Sequence, residues 1–399
     1  MFIQRALKVR IYPTSNQRTF LNKTLGCCRL IYNLMLDDRI IMYNFLKDDP
    51  ELLHAFRYKT EKEYKAEYDF LKEVDAFALQ QSRRNLESAY KNFFDSVTGN
   101  RKGEKVGYPR FKAKKEHHDS YRTGMSIKAD LDKQTIKLPK IHDLVKFKHR
   151  FNIKSWYRYA ALKNITISRS ASGKYYASLL YEGEQDYTGY SQSQEKIVGC
   201  DMSLARCYVD STGYSPGYGR EYRKIEQKLA LLQRWLSRKT KGSRNWEKLR
   251  VRIARLQERA AHIRRELQEQ ESFRLIKEYD VIVIEDLSIK GMSRGLRLGK
   301  SVMDVGWGTF VGMLKYKALW HDKTVLVADK WYPSSKMCHV CGWIKEDLML
   351  RDREWVCPEC ETEHDRDENA ARNLRAYGKR VLLQRQELTP MDMGALAAL

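Results

Sequence analysis

The chain has 399 residues, 42% hydrophobic and 31% charged, the composition of a soluble globular protein with room for two or three domains. Lys and Arg outnumber Asp and Glu by 74 to 51, a formal charge of +23 that would repel itself unless a polyanion compensates it, so nucleic acid is the natural partner. No run of 18 apolar residues is present and the N-terminus lacks the apolar core of a signal peptide, which excludes a transmembrane helix and makes the cytoplasm the expected location.

Residues 2–12 alternate as a strand that ends at Pro13, and Thr14 and Ser15 then cap a helix carrying Leu21, Leu25, Cys28, Leu30 and Tyr32. Helical texture runs to about residue 96. Near its end Leu79, Leu86, Tyr90 and Phe93–Phe94 make one apolar face, with Gln80, Arg83, Arg84 and Lys91 off it. Such side chains hold phosphates or base edges, or form an ordinary solvated face. Arg101, Lys102, Lys105, Arg110, Lys112, Lys114 and Lys115 crowd the next stretch, interleaved with Tyr108 and Phe111 and broken by Gly103, Gly107 and Pro109. A basic loop with aromatics fits a nucleic-acid backbone, although a disordered charged linker has a similar composition.

Between 120 and 183 the pattern turns to strands at 126–128, 135–138 and 164–169. A Ser172–Gly173 turn then leads into 174–181, giving a hairpin within a small β-barrel or sheet. The polar stretch 183–195 reads as a linker. Ile197–Asp201 is a short buried strand, and Cys207–Val209 follows it. Ile225, Leu229, Leu232 and Leu236, then Leu249, Ile253, Leu256, Ala260, Ile263 and Leu267, mark two long helices of a hairpin joined by a basic turn at 238–243. Val281–Ile284 is a continuous apolar run that ends in the carboxylate of Glu285. Residues 386–399 show no clear pattern.

Three acids stand out by position. Asp201 and Glu285 each end an apolar strand, and Asp367 lies where a helix begins, in His364–Ala371. Carboxylates at the C-terminal ends of neighbouring strands converge in one crevice, and the small Ala370 and Ala371 let the helix lie close to the sheet. Such a cage of hard oxygens suits two Mg²⁺ ions and two-metal phosphodiester hydrolysis. Asp365 is the rival to Asp367. Each acid alone has a structural alternative as a turn, strand-end or cap residue.

The eight cysteines suit metal binding in a reducing compartment rather than a disulfide framework. Cys338-x2-Cys341 and Cys357-x2-Cys360, separated by 15 residues, form a signature for one structural Zn²⁺, because four thiolates close its coordination sphere. His339 and His364 read as bystanders, and Cys27, Cys28, Cys200 and Cys207 are scattered.

Six segments stand in one order: Gly199–Asp201, Ile284–Leu287, Gly306–Gly308, Tyr332–Cys338, Cys357–Cys360 and His364–Ala371. With Phe77–Gln80, Tyr90–Phe94 and Gly107–Lys112, they resemble the TnpB family over roughly residues 1–378. These are insertion-sequence proteins related to compact type V CRISPR effectors. The resemblance implies a multidomain α+β chain. A wedge-type β-barrel with a basic loop is expected at 1–13 and 99–190, and a helical recognition domain at 14–98. An RNase H-like RuvC nuclease is expected at 195–378, with its zinc insertion at about 331–363 and a tail at 379–399.

The resemblance implies an RNA-guided DNA endonuclease that acts as one protein per RNA. Its partners would be a guide RNA, target double-stranded DNA and the displaced single strand. Asp201, Glu285 and Asp367 would be the catalytic acids holding two Mg²⁺, with Cys338, Cys341, Cys357 and Cys360 on zinc. Gln80 lies where the family contacts the adjacent motif. The sequence departs from the family at Met202–Arg206, where Ser203 replaces the usual glycine and Arg206 is the nearest substitute for a lysine; this bears on rate and geometry. The alternatives are an RNA-guided repressor without efficient cleavage, and a guide-free transposon nuclease or transposase.

Overall fold

Alternation along β1 (Phe2–Tyr12) buries Ile3, Arg5, Val9 and Ile11 and turns the residues between them outward. The computed structural model describes residues 2–101, 103–114, 119–149, 156–184, 196–203, 206–217, 220–286, 306–349 and 351–387. Lys102, Lys115, nearly all of the expected linker and the end of the expected tail lie outside the described residues. The chain divides into two units, 1–186 and 187–399.

In the first unit α1 (Ser15–Leu46) begins at a reciprocal cap. The Thr14 N–H donates to Gln17 Oε1 at 3.0 Å and the Gln17 N–H donates to Thr14 Oγ1 at 3.4 Å. The helix runs unbroken for 32 residues. Then come α2 (Pro50–Ala55), α3 (Glu61–Glu67), a 3₁₀ turn (Asp69–Glu73) and α4 (Ala76–Val97). The strands are β2 (Asp119–Thr123), β3 (Lys128–Asp130), β4 (Thr135–Lys137) and β5 (Val145–Lys148). After the single turn α5 (Trp156–Tyr159) come β6 (Ala161–Arg169) and β7 (Tyr175–Glu184). All pairings are antiparallel, in the order β2-β6-β7-β1-β5-β4-β3.

The expected barrel is therefore an open seven-stranded sheet among the described residues. Its third strand starts at Lys128 rather than Ser126, because Ser126 has a left-handed φ of 54°. α1 and α4 share one core with this sheet, including Leu25, Ile31, Leu79, Leu86, Phe147 and Ile167.

The second unit contains β8 (Ile197–Asp201), β9 (Val209–Asp210), α6 (Arg220–Ser237), α7 (Arg244–Glu278), β10 (Val281–Ile284), α8 (Trp307–Trp320) and β11 (Thr324–Val327). β12 (Glu354–Val356), β13 (Glu363–Asp365) and α9 (Arg366–Glu387) complete it. The main sheet has the order β11-β10-β8-β9, with β8, β10 and β11 parallel. Strand alternation splits its core. Val198, Cys200, Ile282 and Ile284 pack with α7 and α8, whereas Ile197, Val281 and Val283 pack with Leu374 and Leu382 of α9. Because Leu382 is buried in that core, the boundary expected at 379 falls inside a helix.

α9 lies hard against the sheet. A Cβ at Gly199 would sit 2.1 Å from the Ala371 carbonyl oxygen and 2.5 Å from the Arg375 nitrogen, and one at Gly378 would sit 2.5 Å from Val283 Cγ2. At Gly199, where two backbones come this close, only glycine fits. Gly199→Ala should destabilise the second unit by about 3 kcal/mol or more, measured by urea unfolding. Gly26→Ala in α1, where nothing lies within 4 Å, should instead stabilise the first unit by about 0.5–1 kcal/mol. Equal effects at the two sites would contradict this packing.

Candidate active site and metal centre

The register of the parallel strands decides where the first two acids fall. Ile284 pairs with Cys200, so Asp201 and Glu285 are the next residues on adjacent strands, at the same C-terminal edge. Asp367 occupies the first turn of α9, the helix seated over that edge. Asp201 senses the charges of the other two acids. Asp201 retains a partial opening to solvent, but burial of its carboxyl, followed by the nearby charges of Glu285 and Asp367 and a hydrogen bond with Glu285, pushes its pKa well above the usual carboxylate value.

Asp365, the rival, faces another task. Its Oδ1 accepts the Glu368 N–H at 3.0 Å, which makes it the N-terminal cap of α9. Asp286 is exposed beyond the strand end. Of the departures at 202–206, Ser203 is buried and its N–H donates to the Cys207 carbonyl at 3.2 Å, whereas Arg206 is exposed. Leu204 and Ala205 lie outside the described residues.

The four cysteines converge. Their sulfurs all lie within 4.8 Å of one another, with Cys338–Cys360 and Cys341–Cys357 each at 3.6 Å. A tetrahedral site with metal–sulfur bonds of about 2.3 Å has sulfurs about 3.8 Å apart, so the donor set fits such an ion. The hydroxyl and backbone of Thr362 draw the Cys360 thiol down to about 6. Cys341 is driven up to about 12 despite a favourable hydrogen bond from the Trp343 backbone, by desolvation and by hydrogen bonds with the other sulfurs.

The two histidines are not bystanders. His364 is buried with Nε2 3.2 Å from Cys338 Sγ, and burial, then His339 and Arg372, lower its pKa, so its neutral N–H is available to donate to the sulfur. His339 Nδ1 lies 3.0 Å from Asn369 Oδ1, while its Nε2 faces Arg372 Nη1 at 3.0 Å.

Several residues here carry no motif chemistry of their own and are missed by sequence reasoning. Asn369 and Asn373, one turn apart on α9 and both buried, donate to the Met337 carbonyl of the first cysteine knuckle, and Asn373 also to the Ser334 carbonyl at 2.8 Å. The Ser334 hydroxyl donates to Glu285 Oε1. Arg353, just ahead of β12, places Nη1 3.4 Å from Asp367 Oδ1. The cysteine module thereby touches two of the three acids. A helical spacing of four between buried amides was the available signal.

In β9, fully buried Asp210 accepts from Arg274 at 3.0 Å and from the Thr212 N–H at 2.9 Å. The same guanidinium reaches the Tyr208 hydroxyl at 2.7 Å. Trp307, in the Gly306–Gly308 motif, is buried and donates to the Cys207 carbonyl at 3.2 Å.

The expected nucleic-acid residues lie in the first unit and separate into two groups. Arg83 is held by Glu61 at 2.9 Å and Glu87 at 2.7 Å, and Arg101 by Asn92 at 2.7 Å. Lys112 is exposed as a residue, but its ammonium lies 3.9 Å from the Tyr32 ring centroid and desolvation lowers its pKa. Arg84, Lys105, Arg110 and Lys114 are exposed, and Gln80 is half-buried. The basic loop is not a loose linker over its described part. Lys112 exchanges two backbone hydrogen bonds with the Asn33 side chain, and the Tyr108 and Tyr90 hydroxyls meet at 2.7 Å.

Three family models match. One described as "Probable transposase" covers residues 178–295, one described as "Cas12f1-like, TNB domain" covers 307–374, and one described as "Helix-turn-helix domain" covers 1–44. A Streptomyces pristinaespiralis protein named "Putative RNA-guided DNA endonuclease" is 33% identical over 94% of this chain and 90% of its own length. The chain is a member of the TnpB family. The InsQ protein of Escherichia coli K12, which carries the same description, is 31% identical over 95% of this TnpB chain and 93% of its own. The protein from a cryo-EM structure of a Cas12f1–sgRNA–target DNA complex aligns with a TM-score of 0.53 at 11% identity, covering 94% of the TnpB chain and 99% of its own, which is a likeness of fold. In this TnpB protein the described residues of the 1–44 match form β1 and a continuous helix rather than a helix-turn-helix.

The raised pKa of Asp201 has a consequence for stability. The folded state binds its proton more tightly than the unfolded state, so this group's stabilisation is complete below about pH 3.9 and is lost as pH rises through the elevated folded value. Without added divalent metal, Asp201→Asn should therefore raise the melting temperature at neutral pH, and the gain should shrink towards pH 4. A loss of stability at neutral pH would contradict the placement of the three acids.

Proposed function

We propose that this TnpB protein is an RNA-guided DNA endonuclease whose second unit is an RNase H-like RuvC nuclease. The observation that carries the reading is the convergence of Asp201, Glu285 and Asp367 at one sheet edge. The charges of Glu285 and Asp367 are unfavourable to that of Asp201, and the three carboxylates offer the hard oxygen donors that divalent cations such as Mg²⁺ take. Two such ions, when bound, supply Lewis acidity to an attacking water and to the departing 3′ oxygen.

The chain's own residues do the positioning. Asp201 and Glu285 hold the site from rigid strand ends, and Asp367 closes it from α9. The Ser334 hydroxyl donates to one oxygen of Glu285 and so fixes the orientation of that carboxylate. The four cysteines would hold one structural Zn²⁺, and His364 would brace the Cys338 sulfur. Through Asn369, Asn373 and Arg353 this module steadies the acids rather than reacting.

Guide RNA pairs with one DNA strand, so sequence choice lies in base pairing, and the protein reads a short duplex motif beside it, with Gln80 as the candidate reader. The exposed Arg84, Lys105, Arg110 and Lys114 contact phosphates. Arg83, Arg101 and Lys112 are committed within the chain and hold this surface in shape.

These names from the relatives, together with the retained acids, favour cleavage over a binding-only repressor. The test is to purify the chain from its native locus, sequence the RNA that accompanies it and offer the complex a plasmid library with randomised flanks in Mg²⁺. One co-purifying RNA and cuts beside one short motif, with at least about a thousandfold slower cutting by Asp201→Ala, are expected. Binding without cutting would point to a repressor, and cutting that survives removal of all RNA would contradict guided action.

A further inference from the structure

We infer that the tip of the α6–α7 hairpin is a docking site for an unpaired stretch of RNA, with Trp235 as its stacking platform. The inference rests on the reading that this chain carries a guide RNA, and it names where part of that RNA sits.

Between Arg234 and Arg252 there are eight cations and a single acid, Glu247. That acid is already taken, because Arg250 Nε donates to it at 2.8 Å. The other cations (Arg234, Arg238, Lys239, Lys241, Arg244, Lys248 and Arg252) have no acidic partner among the described residues. An ordinary solvated helical face mixes signs three and four residues apart. Here one sign accumulates on two facing helices and the turn between them, which is repulsive until a polyanion settles on it.

Four of these cations line a groove of about 550 Å³. Trp235 and Leu249 lie on its walls, beside Arg238, Lys239, Lys248 and Arg252. Trp235 is 45% exposed, and Leu231, one turn earlier on the same face, is 42% exposed. The apolar seam of the hairpin does not need them, since Ile225, Leu229, Leu256, Ala260 and Ile263 supply it.

An aromatic ring left open among unpaired cations matches a strand whose bases are unstacked. A base lies on the indole while its phosphates meet the guanidinium and ammonium groups. A duplex shows no free base face, so the ring favours an unpaired segment. The unrelieved charge favours RNA over DNA, because a resident guide compensates it continuously whereas target DNA is met only on encounter.

The test uses the full chain carrying Asp201→Ala and freed of RNA, so it reads the groove whether or not the protein cuts DNA. Three labelled probes are titrated: an oligouridylate of about 12 nucleotides, an oligothymidylate of the same length and an RNA duplex. Trp235→Ala should weaken oligouridylate binding about tenfold and the duplex far less, and Trp235→Phe should restore most of the loss. Combined Arg238→Gln, Lys239→Gln, Lys248→Gln and Arg252→Gln should weaken all probes and flatten the salt dependence by about 0.7 in slope for each phosphate no longer neutralised.

Unchanged oligouridylate affinity in both variants overturns the site. Equal losses on duplex and single strand in Trp235→Ala overturn the stacking platform. A loss confined to oligothymidylate overturns RNA as the occupant. Circular dichroism confirms that the exposed substitutions leave the fold intact.

Discussion

The second unit depends on how closely α9 can approach β8. The missing side chain at Gly199 lets the Ala371 carbonyl come within a distance no Cβ would allow, and Gly378 does the same beside Val283. That approach sets the height of the first turn of α9 above the strand ends, and hence the position of Asp367 relative to Asp201 and Glu285. Strand register alone brings two acids together. The third arrives only because helix and sheet meet backbone to backbone.

The same helix organises the cysteine module. Asn369 and Asn373 project from α9 into the carbonyls of the first knuckle, while Ser334 and Arg353 reach from the module's segment towards Glu285 and Asp367. A metal ion in the four-thiolate site would stiffen the knuckles, and these hydrogen bonds would carry that rigidity to the carboxylates. The arrangement is a second layer of support around a site built on regular elements, the design that holds reactive groups in place. It gives the cysteines a physical reason to stand between Glu285 and Asp367 in the chain.

Much of this was legible in the residues. The apolar runs before Asp201 and Glu285 announced parallel buried strands, the CxxC pairs announced a tetrahedral cluster, and Ala370 and Ala371 announced a close helix. What failed did so for identifiable reasons. Ser126 looked like strand by composition, but a left-handed φ that no local pattern encodes removes it. His364 looked idle because its partner, Cys338, is 26 residues away in sequence. Arg83 is paired both with Glu87, one turn on along α4, and with Glu61 on a different helix, and the second partner is not legible from local spacing. The tail boundary was misplaced because α9 gives no stop signal at Gly378, a glycine serving packing rather than termination. Pairings between distant segments are invisible to periodicity, whereas burial patterns and ligand spacing are not.

The account stands on the claim that three carboxylates from two strands and one helix act as a single divalent-metal site. Electron paramagnetic resonance of Mn²⁺ bound to the RNA-loaded protein with target DNA addresses this most directly. The account predicts two spin-coupled ions per chain, with the coupled signal abolished in each of Asp201→Ala, Glu285→Ala and Asp367→Ala while Asp365→Ala retains it. A coupled pair that persists undiminished through all three substitutions would contradict it.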